Sequence, residues 1–281
     1  MKRNLLIVSL LLVGMFGTSC KSAFEKIRAS GNPELIYKKA FEYFDNEDYQ
    51  KAQTLFEAII PHYRGKKELE KIYYSYAYTF YNLERYIMAS YYFKNFAKTF
   101  PNSNFREEAE FMAAYSNYEL SPTYRLDQTY TLKAIDDFQL FVNTFPQSDR
   151  VKECNKLIDE LRAKLELKDF KAAELFYDLH QYQAATHSFE NLLKDYPETT
   201  KAEEIRYLMA KAAYLLAKNS VYEKREERYN KALDYANLFL AKYKNSNKRE
   251  EIATSIKKSK QQLKKIENDR RHQVKSAGTG S

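Results

Sequence analysis

One spacing of small, aromatic and proline residues returns five times along this chain. Tyr182, Ala185, Phe189, Leu192, Tyr196 and Pro197 form one copy, and Tyr86, Ala89, Phe93, Phe96, Phe100 and Pro101 another. Tyr49, Ala52, Phe56 and Ile59 give a third, Ala134, Phe138, Phe141, Phe145 and Pro146 a fourth, and Tyr229, Ala232, Ala236, Phe239 and Tyr243 a fifth. Steps of three, four and seven residues put these groups on one helix stripe, the alanine admits a neighbouring backbone, and the proline closes the helix. A unit of this kind cannot bury its stripe alone, so successive copies stack, and the pattern predicts a helical solenoid whose work is to hold something.

Pairing each copy with a preceding helix puts the small first-helix residue at Ala40, Ala77, Ala114, Ala173 and Ala210. Repeats one to three then fill 33–148 and repeats four and five 166–245. Ala114 to Ala134 and Ala210 to Ala232 are longer steps than Ala40 to Ala52, so repeats three and five are expected to carry loop insertions. No Gly or Pro interrupts Asp149 to Tyr196, and Val151, Cys154, Leu157, Ile158, Leu161 and Leu165 continue one stripe. A long helix is therefore predicted from about Asp149 to Leu179, with 149–165 as its first, connecting part.

The N-terminus is an address. Lys2 and Arg3 precede the apolar run Leu5 to Phe16, which ends in Gly17-Thr18-Ser19-Cys20. The run is short for a membrane span and has the form of a signal peptide over 1–19, with a lipobox-like ending whose Cys20 would carry diacylglycerol and an acyl chain. Lys21 after the cysteine resembles a signal for the outer membrane, and the lack of an acidic pair beyond it favours the periplasmic face. Residues 20–32 would form a tether. With Cys20 acylated, Cys154 has no intramolecular partner and is expected to pack as a small apolar group.

Formal charge is +8, or +6 without Lys2 and Arg3. From Lys244 to Lys275 eleven basic residues face four acidic ones, a net +7, so the rest of the mature chain is about neutral (6 − 7 = −1). A basic terminal helix over 246–272 is predicted, docked through Ile252, Ile256, Leu263 and Ile266, before a disordered tail at 273–281. Such a helix could touch anionic lipid or an acidic partner. It lacks the aromatic interleaving of a nucleic-acid surface, and no nucleic-acid partner is expected.

No pattern of catalysis is present: there is no Gly-rich phosphate loop, no His-Glu-x-x-His and no Gly-x-Ser-x-Gly. The chain reads as a non-enzyme without metal or cofactor. Its informative positions lie one step out of phase with the packing stripe. In a solenoid of helical hairpins the first helices line the concave face, and positions three before, one after and four after the small residue point into the groove. These are Tyr37, Phe41, Phe44, then Tyr74, Tyr78, Tyr81, then Phe111, Tyr115, Tyr118 in the first three repeats. In the last two they are Phe170, Glu174, Tyr177 and Tyr207, Lys211, Tyr214. Aromatic residues occupy thirteen of these fifteen positions, where a 15% aromatic content would supply about two. Tyrosine joins a broad apolar face to a hydroxyl that needs a partner, so the first three repeats are expected to form a groove for an extended, aromatic-rich polypeptide.

A small residue at repeat position eight, Ala at twenty, an aromatic at twenty-four and Pro at thirty-two identify tetratricopeptide repeats. The fold expected is thus all-α, a right-handed α-solenoid of about five tetratricopeptide-like helix-turn-helix repeats. Lipobox, five repeats and a long helix after the third together resemble the BamD family, lipoproteins of the outer-membrane β-barrel assembly machinery. Ser121-Pro122-Thr123-Tyr124-Arg125-Leu126-Asp127-Gln128-Thr129-Tyr130-Thr131 is similar to the third-repeat segment of that family's Bacteroidetes-type members. The resemblance implies a subunit anchored in the outer membrane, whose N-terminal repeats receive unfolded β-barrel precursors and whose C-terminal half docks on periplasmic domains of BamA. Tyr177, Tyr207, Lys211 and Tyr214, together with the basic tail, would then face that partner. Two other readings stay open: a periplasmic tetratricopeptide scaffold linked to the cell wall or to Tol-Pal, and a sugar-binding outer-membrane lipoprotein, disfavoured by the absence of Trp.

Overall fold

The computed structural model describes residues 23–278, with side chains to residue 273; the signal segment and Cys20 lie outside the described residues. Every regular element among them is helical. In chain order these are α1 (Ala23–Arg28), α2 (Pro33–Asp45), α3 (Tyr49–Ile59) with a 3₁₀ turn at Ile60–Tyr63, α4 (Glu68–Asn82), α5 (Tyr86–Thr99), α6 (Arg106–Glu119) and α7 (Thr129–Thr144). They continue as α8 (Val151–Asp178), α9 (Tyr182–Asp195), α10 (Ala202–Lys218), α11 (Tyr222–Lys242) and α12 (Arg249–Gly278).

The repeated small residues are where helices approach. Ala40, Ala77, Ala114 and Ala173 are fully buried, as are Ala52, Ala89, Ala134 and Ala185 one helix later. The ring one turn further, Phe56, Phe93, Phe138 and Phe189, is also at 0% exposure, so each hairpin closes on an aromatic plug. Replacing such a ring by alanine costs about 3–5 kcal/mol.

Turns inside the hairpins repeat as well. Glu47, Glu84 and His180 adopt positive φ of 61°, 56° and 62°, each seven residues after its repeat's small alanine. Asp48, Arg85 and Gln181 then donate their N–H groups to Tyr43, Phe80 and Phe176, five residues back, at 2.9 Å. This is a Schellman turn made without glycine. It ends the first helix and reverses the chain within three residues, which obliges the two helices to run antiparallel.

Two compact units divide the chain. The first comprises residues 1–122 and 127–159, the second 123–126 and 160–281. In the first, α2 to α7 pack each on its successor. In the second, α9, α10, α11 and α12 do the same, and α12 also packs on α10. Residues 151–159 of α8 belong to the first unit and 160–178 to the second.

Two expectations are corrected. Repeat five has no inserted loop: its extra residues lengthen α10 and α11, leaving a short turn at 219–221. The stretch Tyr222 to Arg228 is rich in Glu, Lys and Arg with no Gly or Pro, so helix is its local preference. Repeat three does insert a loop, and Asp127 accepts the N–H of Thr129 at 2.9 Å where α7 begins. Within the second unit Lys168 Nζ donates to the Leu126 and Tyr124 carbonyls at 2.7 and 3.2 Å. The second correction concerns the C-terminus, where α12 runs to Gly278 instead of giving way to a tail at 273.

Candidate functional site

In the first unit the first helices of the three repeats are α2, α4 and α6. Lys71 Nζ of α4 lies 4.5 Å from the Phe41 ring of α2. The Tyr81 ring of α4 lies 6.4 Å from Tyr115 of α6. Aromatic side chains thus meet between α4 and α6, while α4 reaches the rings of α2 through Lys71. Along α2, Tyr37 meets Phe41 at 4.8 Å and stacks on Tyr63 at 5.4 Å. On α4, Tyr74 meets Tyr78 edge-on at 5.0 Å. On α6, Tyr115 stacks on Tyr118 at 5.5 Å.

Eight of the nine positions expected to line the groove are half-buried: Tyr37, Phe41, Phe44, Tyr74, Tyr78, Tyr81, Tyr115 and Tyr118. The ninth, Phe111, is not a surface residue. It is 3% exposed, flanked by Phe138 and Phe141 and roofed by the Arg150 guanidinium 4.0 Å from its ring centre. Phe170, at the corresponding position of repeat four, is buried to the same degree. Without a hydroxyl to keep wet, a phenylalanine at this position sinks into the core.

Carboxylates accompany the row. The Tyr78 hydroxyl donates to Glu108 at 2.8 Å, and Arg150 holds the other oxygen of that carboxylate at 2.5 Å. Burial lifts the Tyr78 phenol well above its usual range, with Tyr74 and Glu108 adding to it. Tyr81 is pushed up to about 12, first by burial and then by Glu119 and the phenols around it. Tyr37 is raised by burial and by Glu68. The row therefore presents neutral phenols and ring faces beside fixed negative charge. Such a surface can stack on apolar and aromatic side chains and accept backbone N–H donors.

The spacing rule passed over four residues in this neighbourhood. Phe105, 39% exposed, stacks on Tyr74 at 4.5 Å from the loop before α6. Tyr86, at the start of α5, meets Tyr81 edge-on at 5.4 Å. Glu108, itself held by Arg150, fixes the hydroxyl of Tyr78. Phe105, Tyr86 and Arg150 lie outside the helical register of the row, and Glu108, three residues before Phe111 on α6, lies within it but carries no ring.

In the second unit Tyr177, Tyr207, Lys211 and Tyr214 are half-buried. Tyr207 and Lys211 are tied to the terminal helix: the Tyr207 hydroxyl donates to Glu251 at 2.5 Å, and Lys211 pairs with the same carboxylate at 3.0 Å. The Lys248 ammonium sits 4.6 Å over the Tyr207 ring. The Tyr207 hydrogen bond and then Lys211 hold Glu251 below the usual carboxylate range. Burial works against the charge of Lys211, and Glu251 and Tyr207 override it, so its pKa is raised. Tyr214 and Tyr177 pack on Tyr229 and Tyr182.

Cys154 is fully buried, and burial pushes its thiol up to about 11. Among the described residues no group of three or more His, Cys, Asp or Glu could hold a metal ion, and no helix is long and apolar enough to cross a membrane.

Residues 30–229 match the profile of the family YfiO, described as outer membrane lipoprotein. A protein of Aquifex aeolicus (strain VF5), provisionally named outer membrane protein assembly factor BamD, is 23% identical over 280 residues, covering 99% of this chain and 90% of its own length. The outer membrane protein assembly factor BamD of Rickettsia prowazekii (strain Madrid E) is 22% identical over 216 residues, 77% of this chain and 86% of that protein. A crystal structure of a TPR repeats protein from Bacteroides fragilis aligns at 14% identity over 82% of this chain and 99% of its own, with a TM-score of 0.36.

Proposed function

The chain belongs to the YfiO family of outer membrane lipoproteins, and from that membership we propose that it is a non-catalytic scaffold for the assembly and insertion of β-barrel proteins in the outer membrane. Residues 33–148 receive the unfolded precursor. It lies extended along α2, α4 and α6, its side chains against the rings of Tyr37, Phe41, Tyr74, Tyr81, Tyr115 and Tyr118 and its backbone N–H groups toward the phenol oxygens and the carboxylates beside them. The observation that carries this reading is the set of eight half-buried rings on α2, α4 and α6, with α4 and α6 linked by Tyr81 and Tyr115. A solenoid that needed rings only for packing would bury them as it buries Phe93 and Phe138.

The partner on the machinery's side is BamA, through its periplasmic domains. Tyr177, Tyr207, Lys211 and Tyr214 of the second unit form the docking surface, with Glu251 holding two of them in a fixed arrangement before any partner arrives. Anchoring is by diacylglycerol and an acyl chain on Cys20, on the periplasmic face. No step in this role requires a reacting group, a metal or a cofactor.

A labelled peptide from the C-terminal strand of a β-barrel protein tests the groove. The double variant Tyr74→Ala with Tyr78→Ala should weaken its binding at least about tenfold, since loss of two stacked rings removes over 1 kcal/mol. Unchanged affinity would remove the groove from the account. Capture from detergent-solubilised membranes should bring down BamA; a murein synthase or a TonB-type transporter in its place would point to the other scaffold classes.

A further inference from the structure

The outer face of α12 carries a ridge of lysines. Lys257, Lys258, Lys260, Lys264 and Lys265 are all exposed, and from Ile252 to Ile266 there is no acidic residue. At about 100° per residue the five ammonium groups share an arc of about 160° and span about 12 Å of helix. The opposite side is the docked one: Ile252, Ser259 and Ile266 are at 0%, 1% and 6% exposure, packed over Ala236 and Phe239 at one end and Ala217 and Tyr229 at the other. The ridge is therefore held pointing away from the second unit. Basic groups elsewhere on the helix have partners, Arg270 on Glu226 and Arg271 on Glu267. None of the five lysines has a carboxylate within ion-pair distance among the described residues.

We propose that this ridge is a contact surface for anionic phospholipid headgroups. The membrane location rests on membership of the outer membrane lipoprotein family, whose matched span ends at residue 229, before α12 begins. The residue types select lipid over an acidic protein segment. All five are lysines, which act as hydrated point charges, where recognition of a fixed carboxylate favours the planar fork of arginine. No aromatic residue occurs from Arg249 to Gly278, so the ridge has neither the ring anchors of a protein interface nor the stacking platforms of a nucleic-acid site. No large apolar side chain interrupts its arc, so the helix rests on headgroups without inserting. Each lysine near an anionic leaflet multiplies the partition constant by about five, and five together by up to about three thousandfold. Alongside a lipid anchor, the contact would orient the second unit with the outer side of α12 against the leaflet.

Amine footprinting of the full chain, reconstituted in vesicles, tests this without client or BamA, so its failure and failure of the assembly role are distinguishable. In vesicles with roughly 30% phosphatidylglycerol in phosphatidylcholine, acetylation of Lys257, Lys258, Lys260, Lys264 and Lys265 should slow about tenfold relative to pure phosphatidylcholine. Exposed Lys38 and Lys98 of the first unit serve as internal references and should keep their rates. The protection should vanish at roughly 0.5 M NaCl, where screening acts within about 4 Å. The five-fold Lys→Gln variant should lose the anionic-lipid dependence of its co-flotation, and the five-fold Lys→Arg variant should retain it. Equal acetylation in the two vesicle types overturns the proposal. So does protection by soluble polyglutamate without protection by anionic vesicles, which would assign the ridge to an acidic protein.

Discussion

The Tyr78 hydroxyl donates to Glu108 at 2.8 Å, so the central phenol of the row spends its proton inside the protein. Tyr78→Phe keeps the ring and frees a carboxylate that Arg150 still holds. The expected cost is about 1 kcal/mol of stability, the net worth of one hydrogen bond, read from the urea midpoint. Precursor-peptide affinity should change less than about threefold. A large loss of affinity in this variant would show that the hydroxyl leaves Glu108 to meet the client.

Glu84 holds a left-handed φ of 56° in a turn that ends α4 and starts α5. A β-branched residue tolerates that conformation poorly, so Glu84→Val should destabilise by about 1–2 kcal/mol, and Glu84→Gly should be neutral or stabilising by up to about 1 kcal/mol. Thermal midpoints of the two variants check both signs. Equal midpoints would mean that the turn relaxes to accept the valine.

Alkaline pH should loosen the protein. The phenols of Tyr37, Tyr74, Tyr78 and Tyr81 titrate above their ordinary value of 10.0, chiefly because burial disfavours the phenolate. A proton held more tightly when folded stabilises the fold fully below pH 10.0, and this contribution is lost as pH climbs from there through the raised values, Tyr81 at about 12 among them. Urea midpoints should hold from about pH 8 to 9.5 and fall at about pH 11, with phenolate absorbance rising as unfolding proceeds. A midpoint unchanged at about pH 11 would contradict the burial of these hydroxyls.

Cys154 is fully buried, with its thiol raised to about 11. A thiol reagent at about pH 8 should leave it unmodified in the native protein and label it once the chain is unfolded in denaturant. Mass spectrometry of the peptide containing Cys154 reads this directly. Rapid native labelling would require α8 to open locally around residues 151–159.

Much of the fold was legible because a helical repeat is written locally. Ala52, Ala89, Ala134 and Ala185, and the rings four residues after each, are buried as their spacing demands, since side chains on one stripe must share one fate. The exposure of individual rings was less so. Phe111 and Tyr115 sit four residues apart on the same side of α6, yet Phe111 is covered by Arg150, which arrives from beyond the next helix. Nothing near Phe111 in the sequence announces that roof. Phe105 and Tyr86 join the row from a loop and from a second helix, outside any register that counting along first helices could follow.

By itself, the sequence determined that the repeats are helical hairpins, which small residues let helices touch, and that the first helices carry a row of phenols. These properties follow from the 3.6-residue period and from local backbone preference, which act between residues a few positions apart. Tertiary structure decided that Glu251 captures Tyr207 and Lys211, and that Phe111 is interior while its neighbours stay half-open. Each of these outcomes depends on a side chain or backbone that is distant along the chain and near only after packing, and such contacts leave no periodic trace.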